Sequence, residues 1–89
     1  MAWTIELTST ATRQLAKLDK TVAQRIRRFL RERIAPLKDP RTVGQKLQGK
    51  TLGEFWKYRV GDYRIITKIE DDRLVVLVIQ IGHRREIYR

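Results

Sequence analysis

The sequence predicts an α+β fold: an N-terminal strand and a helical hairpin packed on an antiparallel meander sheet, in the order β-α-α-β-β-β. Three observations carry this prediction. Apolar residues alternate at the N-terminus, where Trp3, Ile5 and Leu7 are interleaved with Thr4 and Glu6. They then take up helical spacing between Ala11 and Ile34, and return to alternation from Phe55 onward. The change of period from about two to about 3.6 and back marks strand, helices and sheet in turn.

The first strand ends at Thr8 or Ser9, either of which caps a helix with Ala11, Leu15 and Leu18 on its apolar stripe. Asp19 caps a second helix, whose buried side is Val22, Ile26, Phe29, Leu30 and Ile34. Pro36 ends it, because the residue before a proline is pushed out of helical geometry. Arg25, Arg27, Arg28, Arg31 and Arg33 fall mostly on its exposed side, as a solvated surface or as a secondary contact with RNA or an acidic partner. From Ala35 to Glu54 the chain has little periodicity, and a loop that long in a compact domain either works or holds concealed structure.

The run FWKYRVGDYRIITKIE, Phe55 to Glu70, reads as a hairpin on a type II′ turn at Gly61-Asp62. That turn fixes the register, with Arg59 opposite Arg64, Tyr58 opposite Ile65, Lys57 opposite Ile66 and Trp56 opposite Thr67. One face then carries Trp56, Tyr58, Val60, Tyr63, Ile65, Thr67 and Ile69, the core side. The other carries Lys57, Arg59, Arg64 and Lys68, with Phe55 and Ile66 beside them. Like charges directly opposite on paired strands destabilise by up to about 1 kcal/mol. Two arginines in that position suit an anionic ligand, since a guanidinium meets phosphate in a two-pronged contact. On this reading both side chains stand on open sheet, and Arg64→Ala would leave folding intact or slightly improved.

A tight turn at Asp71-Asp72 follows, then Arg73 to Ile81 as a central strand apolar on both faces. Pairing Glu70 with Arg73 would set Arg64 near Ile79. It would also bring His83, Arg84, Arg85 and Tyr88 out at the Gly61-Asp62 end, with Gly82 allowing a bend. Lys46 and Lys50, just before the hairpin, would extend the basic surface, and Glu86 would pair with an arginine nearby.

Composition narrows the chemistry. The 89 residues make one small domain, 1–89, with twenty Lys and Arg against ten Asp and Glu, net charge +10. Such charge points to a polyanionic partner, nucleic acid or an acidic protein. With no cysteine and one histidine, a thiolate or histidine-rich metal centre and any cofactor built on one are not expected. No stretch has transmembrane length and no signal segment opens the chain, so the expected location is the cytoplasm, away from membranes.

The segments KLQGKTLGEFWKYRVGDYRII and LVVLVIQIGHRREIYR, in this order, resemble the RelE branch of the RelE/ParE toxin superfamily. The resemblance covers nearly the whole chain. It implies a toxin of a type II toxin–antitoxin pair that enters the ribosomal A site and cuts messenger RNA without a metal, the ribose 2′-hydroxyl attacking the adjacent phosphate. Carried over to this sequence, the catalytic residues are Lys57, Arg59, Arg64, Arg84 and Tyr88. Cations aimed at the developing phosphorane charge are a main source of catalysis in such a transfer. Lys57 is a candidate general base, Arg84 would serve the leaving 5′-oxygen, and Tyr88 offers a face for an extruded base.

His83 is a further candidate acid or base. Lys46, Lys50, Lys68 and Arg85 would hold RNA. The implied partners are an acidic antitoxin, the ribosome with its rRNA and mRNA, and operator DNA only as the toxin–antitoxin complex. The alternative is a ParE-like inhibitor of DNA gyrase, which has the same fold and needs no catalytic cluster.

Overall fold

The computed structural model describes residues 2–47 and 55–87. Five strands form one mixed sheet in the order β1-β5-β4-β3-β2. They are β1 (Thr4–Leu7), β2 (Gln45–Lys46), β3 (Phe55–Val60), β4 (Tyr63–Glu70) and β5 (Val75–His83). Helices α1 (Ser9–Lys17) and α2 (Lys20–Phe29) form the hairpin, and a short α3 (Arg84–Ile87) follows β5. The expected α+β order is present. Three elements add to it: a 3₁₀ turn (Pro40–Val43) and β2, both concealed in the long loop, and α3 in the tail.

Both helices start where the sequence places their caps. The Thr8 hydroxyl accepts from the Ala11 amide at 3.1 Å, and the Asp19 carboxylate from the Thr21 amide at 3.2 Å. Beyond Phe29 the helix widens into a π-turn, Leu30–Ile34, closed by the Ala35 amide on the Leu30 carbonyl at 2.9 Å. Both ends of that turn, Leu30 and Ile34, point into the core. Ala11, Leu15, Ala23 and Ile26 join them against Tyr58, Val60, Ile65, Ile69, Val76, Val78 and Ile81 of the sheet. Helices therefore cover one face, the one that alternation assigns to the core. No helix among the described residues is long and apolar enough to cross a membrane.

The meander is wider at its second turn than the sequence suggests. Residues 71–74 all lie in the turn, with Leu74 at φ 53°, so Glu70 pairs with Val75 and not with Arg73. A bulge between Ile66 and Thr67 advances the register again. Arg64 consequently faces Gly82, not Ile79. At the other edge β1 runs parallel to β5, Thr4 opposite Val75 through Leu7 opposite Val78.

Candidate active site

The first hairpin has the geometry its sequence specifies. Gly61 takes a positive φ of 58° while Asp62 does not, the signature of a II′ turn. Its register is the expected one in every pair from Val60–Tyr63 to Trp56–Thr67 and continues to Phe55–Lys68, and Arg59 stands opposite Arg64. Tyr58, Ile65 and Thr67 are fully buried on the helix side. Lys57, Arg59, Arg64 and Lys68 share the other side by alternation.

Lys57, Arg59 and Arg64 line a single concavity of about 380 Å³, walled by Val43, Gly44 and Gln45, with Tyr58 also lining it. No carboxylate is among its lining residues. The wall is held in place by the core. The Tyr58 hydroxyl donates to the Pro40 carbonyl at 2.7 Å, and burial raises its pKa to about 12. Gly44 packs on the Tyr58 ring so closely that a Cβ there would lie 3.0 Å from Cε1. A larger residue at 44 would have to push the Tyr58 ring aside by a few tenths of an ångström.

The two arginines are not equivalent, which corrects the picture of a matched pair on open sheet. Arg59 is exposed, whereas Arg64 is only 9% exposed. One guanidinium nitrogen of Arg64, Nη1, donates to the Gly61 carbonyl at 3.0 Å and the Tyr63 carbonyl at 2.9 Å. By turning back onto the hairpin's own carbonyls, Arg64 finds partial negative charge and relieves its repulsion with Arg59. It belongs to the turn as well as to the concavity. Removing it therefore costs stability, contrary to the expectation for Arg64→Ala.

The tail arrives where expected. The Arg84 amide donates to the Asp62 carbonyl at 2.8 Å, and Tyr63 pairs with His83. Arg84 and Arg85 are both exposed on α3, beside the turn. Gly82 packs beneath Ile87, where a Cβ would lie 3.2 Å from Cδ1, the movable end of that side chain. Glu86 makes no ion pair among the described residues, so the pairing expected of it is not found.

Five expected residues do not line the concavity: Arg84 and Arg85 on α3, and His83, Lys46 and Lys68. His83 lies on the helix face, edge-on to Tyr63 with ring centroids 5.6 Å apart, and its Nδ1 accepts from the Arg85 amide at 3.2 Å. Strand parity separates it from Lys57, Arg59 and Arg64. Parity also moves Lys46: Gln45 pairs with Lys57, and Lys46 pairs with Trp56 on the opposite side. Lys68 keeps to the cation face and is exposed, but Ile66, 8% exposed, lies between it and Arg64. Lys50 and Tyr88 lie outside the described residues.

The wall residues Gly44 and Gln45 had a signal in the sequence that periodicity misses. Asp39-Pro40 opens a 3₁₀ turn, with the Asp39 carboxylate accepting from the Arg41 amide at 3.0 Å and proline at the first position. A capped turn in mid-loop was the clue that the segment returns to the sheet.

Comparison with known proteins bears on what such a cation-lined hollow serves. The family model described as "ParE toxin of type II toxin-antitoxin system, parDE" matches residues 5–88. Toxin RelG of Mycobacterium tuberculosis is 32% identical over 89 residues, covering 100% of this chain and 99% of that protein. The mRNA interferase toxin RelE of Escherichia coli is 31% identical over 90 residues, covering 99% and 92%. Among solved structures, the RelBE2 toxin–antitoxin complex of M. tuberculosis contains a chain that superposes with a TM-score of 0.84 at 27% identity, over 94% of this chain and 93% of that one. A chain of the intact E. coli RelBE complex gives 0.74 at 26% identity, over 92% and 96%. Matching along almost its whole length in both sequence and backbone, the chain belongs to the RelE/ParE family of type II toxin–antitoxin toxins and is a RelE-type member of it.

Proposed function

We propose that this toxin is a ribosome-dependent, metal-independent endoribonuclease that cuts messenger RNA in the A site and so inhibits translation in the cytoplasm. The observation that carries the reading is the concavity shared by Lys57, Arg59 and Arg64 where β2 meets β3. The RNA supplies its own nucleophile. As the 2′-oxygen forms its bond to phosphorus and the 5′-oxygen leaves, the products are a 2′,3′-cyclic phosphate and a 5′-hydroxyl. Charge grows on the non-bridging oxygens, where fixed cations stabilise the transition state more than the ground state.

Arg59, exposed at the mouth, contacts the phosphate in two prongs. Arg64 adds its remaining guanidinium donors from a fixed position, and Lys57 takes the 2′-hydroxyl proton. Arg84 steadies the charge on the leaving 5′-oxygen from the tail while that oxygen takes a proton from water, and Tyr88 stacks on a base. Lys68 and Arg85 hold the flanking backbone. The ribosome holds the message in line, a contribution worth up to about 7–11 kcal/mol in well-oriented reactions.

The E. coli relative is an mRNA interferase toxin by name, which supports the same reading. The solved relatives stand in complexes with antitoxins, and a +10 chain suits an acidic antitoxin as its partner. Operator DNA would be bound by that complex.

The ParE description of the family model favours one rival, non-catalytic inhibition of DNA gyrase. Mapping RNA 5′ ends on translating ribosomes after induction, with plasmid supercoiling assayed in parallel, separates the two. New 5′ ends within A-site codons are the expected result. Lost supercoiling with intact messages would replace the ribonuclease by the gyrase inhibitor.

A further inference from the structure

The outer side of α2 carries cations that the concavity does not use. Gln24, Arg27 and Arg28 of α2 recur at i, i+3 and i+4 on one stripe, and Arg31 of the π-turn that follows lies beside them. Together they line a shallow depression of about 310 Å³. At a rise of about 1.5 Å per residue the stripe is on the order of 10 Å long. All three arginines are exposed. Among the described residues Glu32 is the carboxylate in reach, 4.0 Å from Arg28 Nε and 3.4 Å from Arg31 Nη2. Pairs this exposed contribute little and yield to a denser anion. Arg27 has no ion pair among the described residues.

Arg25 links this stripe to the hairpin. Its Nη1 lies 3.2 Å from where a Cβ on Gly61 would stand, so the guanidinium rests against the turn whose arms carry Arg59 and Arg64.

We propose that Arg27, Arg28 and Arg31, continued by Arg25, form a second phosphate-binding track that takes the backbone of double-helical RNA, separate from the strand held in the concavity. That the polyanion is RNA rests on the function proposed above; the track itself rests on the stripe. Guanidinium groups favour phosphate by shape as well as charge. No aromatic side chain lines the depression, so it has no stacking platform for splayed bases and reads backbone and shape instead. An acidic protein helix would need an apolar seam beside its charges. The apolar groove of Ile5, Leu7, Leu15 and Leu30 touches the stripe only at Arg27, and Gln24, Arg28 and Arg31 do not line it.

The test uses the full chain and a fluorescent 2′-O-methyl RNA hairpin, which cannot be cut through a 2′-hydroxyl. Failure of the ribonuclease reading therefore leaves this measurement intact. Anisotropy titrations across a salt series compare the native chain with the triple variants R27Q/R28Q/R31Q and R27K/R28K/R31K. The glutamine variant should bind at least about tenfold more weakly, with the slope of log affinity against log salt reduced by about 2 to 3, near 0.9 per lost phosphate contact. The lysine variant should keep the native slope. Unchanged affinity and slope in the glutamine variant would overturn the track, as would an equal loss in the lysine variant. So would a glutamine variant that keeps RNA binding but loses an acidic helical peptide, since the stripe would then be a protein contact.

Discussion

The two ends of the sheet treat arginine in opposite ways. At the Asp71–Leu74 end every described arginine is met by carboxylates. Arg41 holds Asp71 with two nitrogens, at 2.6 and 3.1 Å, and Asp39 at 3.2 Å, while lying 6.0 Å from the Trp56 ring. Arg73 reaches Glu70 at 2.9 Å and Glu6 at 3.3 Å. The hydrogen bonds to Asp71 raise the Arg41 pKa, and Arg41 in turn lowers that of Asp71. At the Gly61-Asp62 end, Arg25, Arg59, Arg64, Arg84 and Arg85 make no ion pair among the described residues. One end closes on itself and fastens loop, strand and turn. The other leaves its positive charge for something outside the chain. Net charge alone would not reveal this, because the carboxylates are concentrated where they staple.

The sharpest way to break the contrast is at Arg59. As an exposed guanidinium with no ion pair among the described residues, it contributes little to folding. Arg59→Gln should lower ribosome-dependent cleavage by about 10²- to 10³-fold, the usual cost of removing one preorganised donor to a developing oxyanion. Its melting temperature should stay near that of the native chain, since surface substitutions away from special features usually fall within about 0.5 kcal/mol. A primer-extension assay beside a thermal melt measures both. Full activity in this variant would remove Arg59 from the site.

Arg64 should fail on both counts. Its Nη1 bonds to Gly61 and Tyr63 are internal, so Arg64→Ala leaves turn carbonyls without their donor at a cost of about 1–3 kcal/mol. For a domain of this size that is roughly 4–8 °C of melting temperature per kcal/mol. An Arg64→Ala protein as stable as the native chain would mean the turn holds without it.

Much of this was legible in the sequence. A Gly-Asp pair between alternating runs specifies a II′ hairpin, and from that turn the register of β3 against β4 follows residue by residue. Trp56, Tyr58, Val60, Ile65 and Thr67 could be assigned to the core and Lys57, Arg59 and Arg64 to the opposite face. Register farther from that turn was not legible. A bulge between Ile66 and Thr67 and a four-residue turn with Leu74 at positive φ have no strong local signal, since leucine is an unusual choice there. The sides taken by His83 and Lys46 depend on pairings in β5 and β2 that the hairpin does not fix. Nor does alternation say which of two facing arginines will fold back onto backbone carbonyls. That choice depends on the free oxygens of the turn, which exist only once the turn has formed.

Tyr58 sharpens the comparison from beneath, because its hydroxyl ties the concavity's wall to β3. Tyr58→Phe removes the donor from the Pro40 carbonyl and should cost about 0.5–1.5 kcal/mol. The effect also has a pH signature. Burial raises the folded-state pKa from the usual 10 to about 12, so the neutral phenol's contribution is complete below pH 10 and is lost as pH rises from 10 through about 12. Alkaline melts should lose stability over that window in the native chain and less so in the phenylalanine variant. Parallel curves would mean that other groups dominate alkaline unfolding.

The smallest effect belongs to the stapled end. Asp71 is exposed, and Arg41 depresses its pKa, so its contribution is present above the usual carboxylate range and fades as pH falls through the lowered value. Asp71→Asn should leave cleavage unchanged and shift the melting temperature only slightly. The shift should shrink further in 1 M salt, where the screening length is about 3 Å. The decisive outcome is the pairing of results across the molecule: salt should erase the Asp71 effect on folding and also weaken RNA binding at the Gly61-Asp62 end. A loss of activity in Asp71→Asn at constant stability would show that the two ends are coupled, and that the staple positions the site rather than merely closing the far side of the sheet.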